Sequence, residues 1–207
     1  MGVRSHRVRA VIWDIGNVLV RWDPRHLYEP HFDDKDELEY FLTHIVSPAW
    51  NLEQDRGRTF AEAVAMLSKE HPHYADLIEL FDSQWINTLG GEIEGCVELV
   101  HELRGRGVPL FAITNFSAEK WRVFCAAYDF TRHLEDVVVS GEEGLLKPDP
   151  RIFKLALERF ALAPEQAVFI DDRAENVEAA RAHGIVSHHF TDPAPLRRAL
   201  AGYGLLG

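Results

Sequence analysis

The chain has 207 residues, 46% hydrophobic and 27% charged, which is enough for one full core plus an insert or for two small domains. Its formal net charge of -11 argues against nucleic acid or an anionic membrane as the main partner, and no apolar run approaches the ~20 residues that span a bilayer. Cys96 and Cys125 both fall in helical patterns, which points to a cytoplasmic protein with reduced thiols rather than a disulfide scaffold. An acidic chain that handles an anionic substrate needs a local positive centre, and a divalent cation would supply one.

Basic residues Arg4, Arg7 and Arg9 accompany an apolar run that ends in Asp14-Ile15-Gly16-Asn17-Val18-Leu19. The run carries a carboxylate at its end and no small-residue cleavage site. It reads as a buried strand that delivers Asp14 to the rim of a sheet, not as a signal peptide. Asp-x-Gly also makes ordinary turns, so the later segments must supply partners before Asp14 gains meaning. Roughly 90 residues separate this strand from the next, far more than one crossover needs. Most of that interval is helical in pattern. Asn51 to Arg58 reads as a loop over the strand ends. Thr59-Phe60-Ala61-Glu62 is a capping box that opens a stripe of Phe60, Ala63, Val64 and Leu67. A second stripe from Asp76 to Leu89 carries Leu77, Leu80, Phe81 and Trp85. Gly90-Gly91 is the candidate hinge.

Beyond it, strands are expected at 108–114, 136–140, 167–171 and 185–190. Helical stripes lie among them: Ile93, Cys96, Val97, Val100 and Leu103; then Phe153, Ala156, Leu157 and Phe160; then Ala174, Val177 and Ala180. Alternating strand and helix implies an α/β fold, a Rossmann-like parallel sheet with helices on both faces, here with an inserted small helical cap domain. The expected division is 1–21 and 92–207 for the core and 22–91 for the cap.

In such a sheet the strand ends share one edge, so their polar residues can converge. They are Asp14, then Thr114-Asn115, then Lys147-Pro148, then Asp171-Asp172. Asp14 and Asp172 are hard oxygen ligands suited to Mg²⁺, and the Gly16 carbonyl can add another. The Thr114 hydroxyl and the Asn115 backbone N–H can donate to phosphoryl oxygens, next to the Gly16-Asn17 turn, and Lys147 can neutralise phosphate. Pro148 restricts Lys147, and Asp149 can cap a helix that has Pro150 at its first position. A carboxylate nucleophile, a divalent cation and a cationic clamp are the parts an aspartyl-phosphate intermediate requires.

These four motifs, in this order and spacing, resemble the haloacid dehalogenase-like hydrolase superfamily, most of whose members are phosphatases. The likeness covers the whole chain, with the insert similar to that family's helical cap of the first type. It implies Asp14 as nucleophile, Thr114 and Lys147 on the phosphoryl group, Asp172 on Mg²⁺ and Asp171 supporting the metal through water. One position departs: where most family phosphatases carry a second Asp, this chain has Gly16, which cannot transfer a proton. Three readings stay open. The first is a phosphatase whose proton comes from water or the cap; Asp-x-Gly-Asn-Val resembles sugar-phosphate phosphatases, including those for glucose 1-phosphate. The second is a metal-free 2-haloacid dehalogenase, whose halide leaves without a proton. The third is a non-catalytic ligand-binding domain. The pair Asp171-Asp172 favours a metal site, because adjacent carboxylates near Asp14 repel without a cation. Glu53, Asp55 and Arg56 are the cap residues expected to meet a sugar or protonate a leaving oxygen. The expected partner is a small phosphorylated metabolite, handled by a monomer or homodimer.

Overall fold

The computed structural model describes residues 8–207; Arg4 and Arg7 lie outside the described residues. The strands are β1 (Ala10–Trp13), β2 (Val20–Trp22), β3 (Leu89–Glu92), β4 (Leu110–Thr114), β5 (Asp136–Val139), β6 (Ala167–Asp171) and β7 (Val186–His189). Five of them form one sheet in the order β5-β4-β1-β6-β7, with every neighbouring pair parallel. β1 is central, so its end is flanked by the ends of β4 and β6. Every residue of β1, β4 and β6 is buried, as expected of parallel strands covered on both faces.

The helices, in chain order, begin with α1 (Arg25–Tyr28), α2 (Lys35–Tyr40), α3 (Pro48–Asp55), α4 (Phe60–Glu70) and α5 (Ala75–Ser83), all between β2 and β3. They continue with α6 (Glu94–Gly105), α7 (Ala118–Ala127), α8 (Ser140–Glu143), α9 (Pro150–Arg159), α10 (Ala174–Ala182) and α11 (Pro193–Gly202). The pleat of the sheet sorts its side chains between two cores. Ala10, Ile12, Phe111, Ile113 and Phe169 pack with Phe153 and Ala156 of α9 and Ala180 of α10. Val11, Trp13, Ala112 and Ile170 face the other way, into a core continuous with α6, α7, α11 and the helical insert.

The insert has its own aromatic centre, with Tyr28 edge-on to Phe41 at 4.8 Å and Phe60 stacked on Phe81 at 6.0 Å. The capping box on Thr59 and Glu62 is formed as the sequence implies. Two expectations need correction. The loop expected at 51–58 is helical as far as Asp55, because Ser47 caps α3 by accepting from the Trp50 N–H and Pro48 sits in the first turn. The stripe from Asp76 to Leu89 is not one helix: α5 ends at Ser83 and a 3₁₀ turn, Trp85–Thr88, follows. There the Thr88 hydroxyl donates to the Trp85 carbonyl at 2.8 Å and competes with helical pairing.

Both passages between sheet and insert run through an antiparallel ribbon in which Val20 faces Glu92 and Trp22 faces Leu89. Gly90 is fixed there by close approach, since a Cβ would stand 2.6 Å from His26 Nε2 and 3.1 Å from Arg21 Cβ. Among the described residues no helix is long and apolar enough to cross a membrane.

Candidate active site

Asp14 leaves β1 with its N–H bonded to the Ile170 carbonyl at 2.8 Å, and its Oδ1 accepts from the Ile15 N–H at 2.7 Å. The chain then turns sharply. Asn17 takes a left-handed φ of 56°, which asparagine tolerates, and its Oδ1 accepts from the Trp22 N–H at 2.9 Å. Gly16 bridges to Val20. A Cβ on Gly16 would meet nothing within 4 Å, so neither packing nor a left-handed backbone demands glycine at this position.

Lys147 is the hub. Its ammonium lies 2.8 Å from Asp14 Oδ1 and 2.7 Å from Asp171 Oδ2, and 5.5 Å from the centre of the Phe169 ring. The Asn115 side chain clamps the backbone of Lys147 from both sides: Oδ1 accepts from the Lys147 N–H at 2.8 Å and Nδ2 donates to its carbonyl at 3.0 Å. Asp149 caps α9, with Pro150 in the first turn, and so holds the same loop from its other end. Asp171 is saturated by further donors, the Arg173 N–H at 2.9 Å and Asn176 Nδ2 at 3.0 and 3.1 Å.

Burial pushes the Asp14 carboxyl up to about 8, against the pull of the Lys147 ammonium. Burial also works against the Lys147 charge, but Asp14 and Asp171 together lift its pKa above the usual lysine value. The Asp172 carboxyl is raised by burial and by its neighbour Asp171. Oxygens of Asp14, Asp171 and Asp172 lie within 4.8 Å of one another. One ammonium among three carboxylates leaves an excess of two negative charges when all are ionised, which one divalent ion would balance. Asp171 is occupied by protein donors, so the oxygens of Asp14 and Asp172 are those suited to a hard cation such as Mg²⁺.

A cavity of about 200 Å³ opens over these strand ends, lined by Asp14, Gly16, Asn17, Asn115, Lys147 and Asp172 among others. Four expected residues, Thr114, Asp171, Glu53 and Arg56, stand differently from the sequence reading. Thr114 is buried at the end of β4 and is not among the lining residues, which on that strand edge begin at Asn115. Asp171 is likewise fully buried behind the site. Asn115 spends its side chain on Lys147. In the insert, Asp55 lines the cavity, whereas Glu53 and Arg56 do not: both are exposed and face each other at 3.7 Å. α3 explains this split, because successive helical residues point in different directions and only one face of the last turn meets the cavity.

Asp55 is set by contacts from the insert and from the sheet side. Its carboxylate accepts from the Ser117 N–H of the core and from Asn51 Nδ2 at 3.2 Å. Its backbone carbonyl accepts from the Ser140 hydroxyl at 2.5 Å. Burial pushes the Asp55 carboxyl up to about 7, with the Ser117 N–H opposing. Residues the sequence reading missed are Asn176, Ser117 and Lys120. Asn176 had a signal, since it follows Asp171 by a spacing that returns one helical turn to the strand end. Lys120 had none, because its partner Asp82 lies in the distant α5.

A parallel sheet with a helical insert and a carboxylate–lysine cluster at its strand ends defines a Rossmann-like hydrolase. A family model for haloacid dehalogenase-like hydrolases matches residues 8–184, and the chain belongs to that family. It is 28% identical over 198 residues to a sesquiterpene phosphatase of Aspergillus oryzae, across 89% of this chain and 90% of that protein. It is 38% identical over 85 residues to a phosphoserine phosphatase of Thermus thermophilus, across 41% of this chain but only 34% of that protein. Among solved structures its fold is similar to a family enzyme from Bacteroides thetaiotaomicron in a magnesium complex, with a TM-score of 0.72, 21% identity, and coverage of 92% of this chain and 98% of that one.

Proposed function

We propose that this hydrolase is a Mg²⁺-dependent phosphatase that cleaves a small phosphorylated metabolite through an aspartyl-phosphate. The observation that carries the reading is the Asp14 carboxylate, held by Lys147 at 2.8 Å and opening with Asp172 onto one cavity. An Asp14 oxygen attacks phosphorus, the P–O bond to the alcohol breaks, and water then hydrolyses the acyl phosphate to regenerate Asp14. Lys147 and the Asn115 N–H, which face the cavity, hold the phosphoryl oxygens, while Thr114 stays buried behind Asn115 at the end of β4. Asp14, Asp172 and the Gly16 carbonyl would hold Mg²⁺, which when bound neutralises charge on the phosphoryl group.

Gly16 has no proton to give, and Asp55 is the acid that replaces it. It lines the cavity from the insert, and a carboxyl near neutral pKa can donate to the departing oxygen and then accept from water. The names of both relatives above support phosphoryl chemistry, and the excess negative charge beside Asp172 weighs against a metal-free dehalogenase. The test measures phosphate release from an aryl phosphate and from glucose 1-phosphate, with Mg²⁺ and with chelator, alongside halide release from 2-chloropropionate. Mg²⁺-dependent phosphate release that Asp14→Asn abolishes while the variant stays folded is the expected result. Halide release without metal would refute it.

A further inference from the structure

The insert closes the cavity with Trp22, Pro48, Leu52, Phe60, Trp85 and Leu89, and from the core Phe116 and Phe124 complete the wall. The polar groups that the stretch from Trp22 to Leu89 adds to this lining are Asn51 and Asp55. The cations among the lining residues are all engaged. Lys147 sits between Asp14 and Asp171. Lys120 binds the Asp82 carboxylate and donates to the Asp82 carbonyl at 2.9 Å, with its ammonium 4.5 Å from the centre of the Phe60 ring. Arg173 pairs with Glu175 at 2.5 Å on an exposed stretch. A leaving group with a carboxylate would therefore meet Asp55 and no uncommitted cation among the described lining residues. A leaving group with many hydroxyls would find only Asn51 and Asp55 as partners on the insert side and would bury its other hydroxyls there against aromatic and aliphatic carbon, which is costly.

We infer, resting on the phosphatase reading above, that the substrate is the phosphate monoester of a small neutral apolar alcohol, aryl or branched alkyl, rather than of a sugar or a hydroxy acid. The phosphoryl end lies at Asp14 and the carbon skeleton lies against Leu52, Phe60 and Trp85. Size agrees: a cavity of about 200 Å³ that also holds the phosphoryl group at Asp14 leaves room for only a small carbon skeleton. The reaction itself is unchanged: the ester P–O bond breaks, the alcohol oxygen takes a proton from Asp55, and water supplies the oxygen that completes inorganic phosphate.

Two measurements test this separately from the parent reading. Turnover compares 3-methylbutyl phosphate with glycerol 3-phosphate and O-phosphoserine, all esters of primary alcohols, so that differences report recognition more than leaving-group chemistry. The expected kcat/KM for the branched alkyl ester exceeds both others by about tenfold or more, and Leu52→Asn narrows that ratio. Equal or better turnover of glycerol 3-phosphate or O-phosphoserine overturns the inference and leaves the phosphatase reading standing. Calorimetric binding compares 3-methylbutylphosphonate with phosphonoacetate in the presence of Mg²⁺. Tighter binding of the alkyl phosphonate supports the apolar pocket even if no ester is hydrolysed, an outcome that would sink the phosphatase reading alone. Equal or weaker binding overturns the pocket.

Discussion

Lys147→Met removes the ammonium that lies 2.8 Å from Asp14 and 2.7 Å from Asp171 and keeps an unbranched side chain in the same space. The side chain is only 1% exposed, so water cannot take over its role without opening the strand ends. Asp171 keeps three hydrogen bonds from Arg173 and Asn176, but among the described residues Asp14 keeps only the Ile15 N–H. Taking one partner from a buried ionic cluster costs about 3–5 kcal/mol, and at this chain length each kcal/mol lowers Tm by ~2–4 °C. The expected loss is on the order of 10 °C, measured by thermal unfolding in chelator at alkaline pH. The sign of the pH dependence follows from Asp14, whose folded-state carboxyl stands at about 8 against an ordinary 3.8. A raised carboxyl stabilises the fold at low pH, where it is protonated, and that contribution is lost as pH rises through its folded value. Without Lys147 the carboxyl rises further, so acidification neutralises Asp14 and the deficit of the variant shrinks. Adding Mg²⁺ at alkaline pH recovers part of the deficit by supplying another cation. A Tm within about 2 °C of the parent, or a deficit equal at both pH values, would refute the view that Lys147 holds these carboxylates together.

The parent kcat/KM is expected to fall as pH rises through about 7, because Asp55 donates only in its acid form. Asp55→Asn should remove that limb and slow alkyl esters by ~10²–10⁴-fold, with a much smaller loss for p-nitrophenyl phosphate, whose leaving group needs no proton; equal losses for both esters would exclude Asp55 as the acid. Gly16→Asp should fold normally, since a Cβ there meets no atom within 4 Å and the backbone is not left-handed. Its turnover should not exceed that of the parent by more than about tenfold if Asp55 supplies the proton as proposed, and a larger gain would show that proton transfer is what the parent lacks.

The sheet was legible because its strands are buried on both faces and read as short unbroken apolar runs. β1, β4, β5, β6 and β7 all fall within the segments expected for them. The residues around the cavity were legible for a related reason: Asp14, Asn115 and Asp172 come directly after a strand, and Lys147 lies in the loop after α8. What escaped depends on packing between distant segments. β3 is Leu89-Gly90-Gly91-Glu92, a sequence with little strand preference, and it exists because it pairs with β2. α7 turns a lysine, Lys120, into its buried face, which blurs the apolar stripe that would have revealed it. The Asn115 clamp on Lys147 joins residues far apart in sequence, and no local spacing announces it. The division between Asp55 and its neighbours Glu53 and Arg56 required knowing that α3 runs to its end at Asp55.

The ribbon of β2 and β3 has a consequence for how such a molecule can diversify. It brings the start and finish of the insert side by side, with Trp22 opposite Leu89, while β1 pairs with β4 and β6 with no help from the residues between. Both ends of the helical insert thus enter and leave at one seam, and its remaining ties to the sheet side are side-chain contacts such as Lys120–Asp82 and Ser140–Asp55. Under the proposed reading, replacing the insert would alter which molecule is admitted, while the strand pairing that brings Asp14, Lys147 and Asp172 together involves no residue of the insert. Selection could then redraft the lock on this protein without redrafting the tool behind it, except at Asp55, which the proposed mechanism makes part of both.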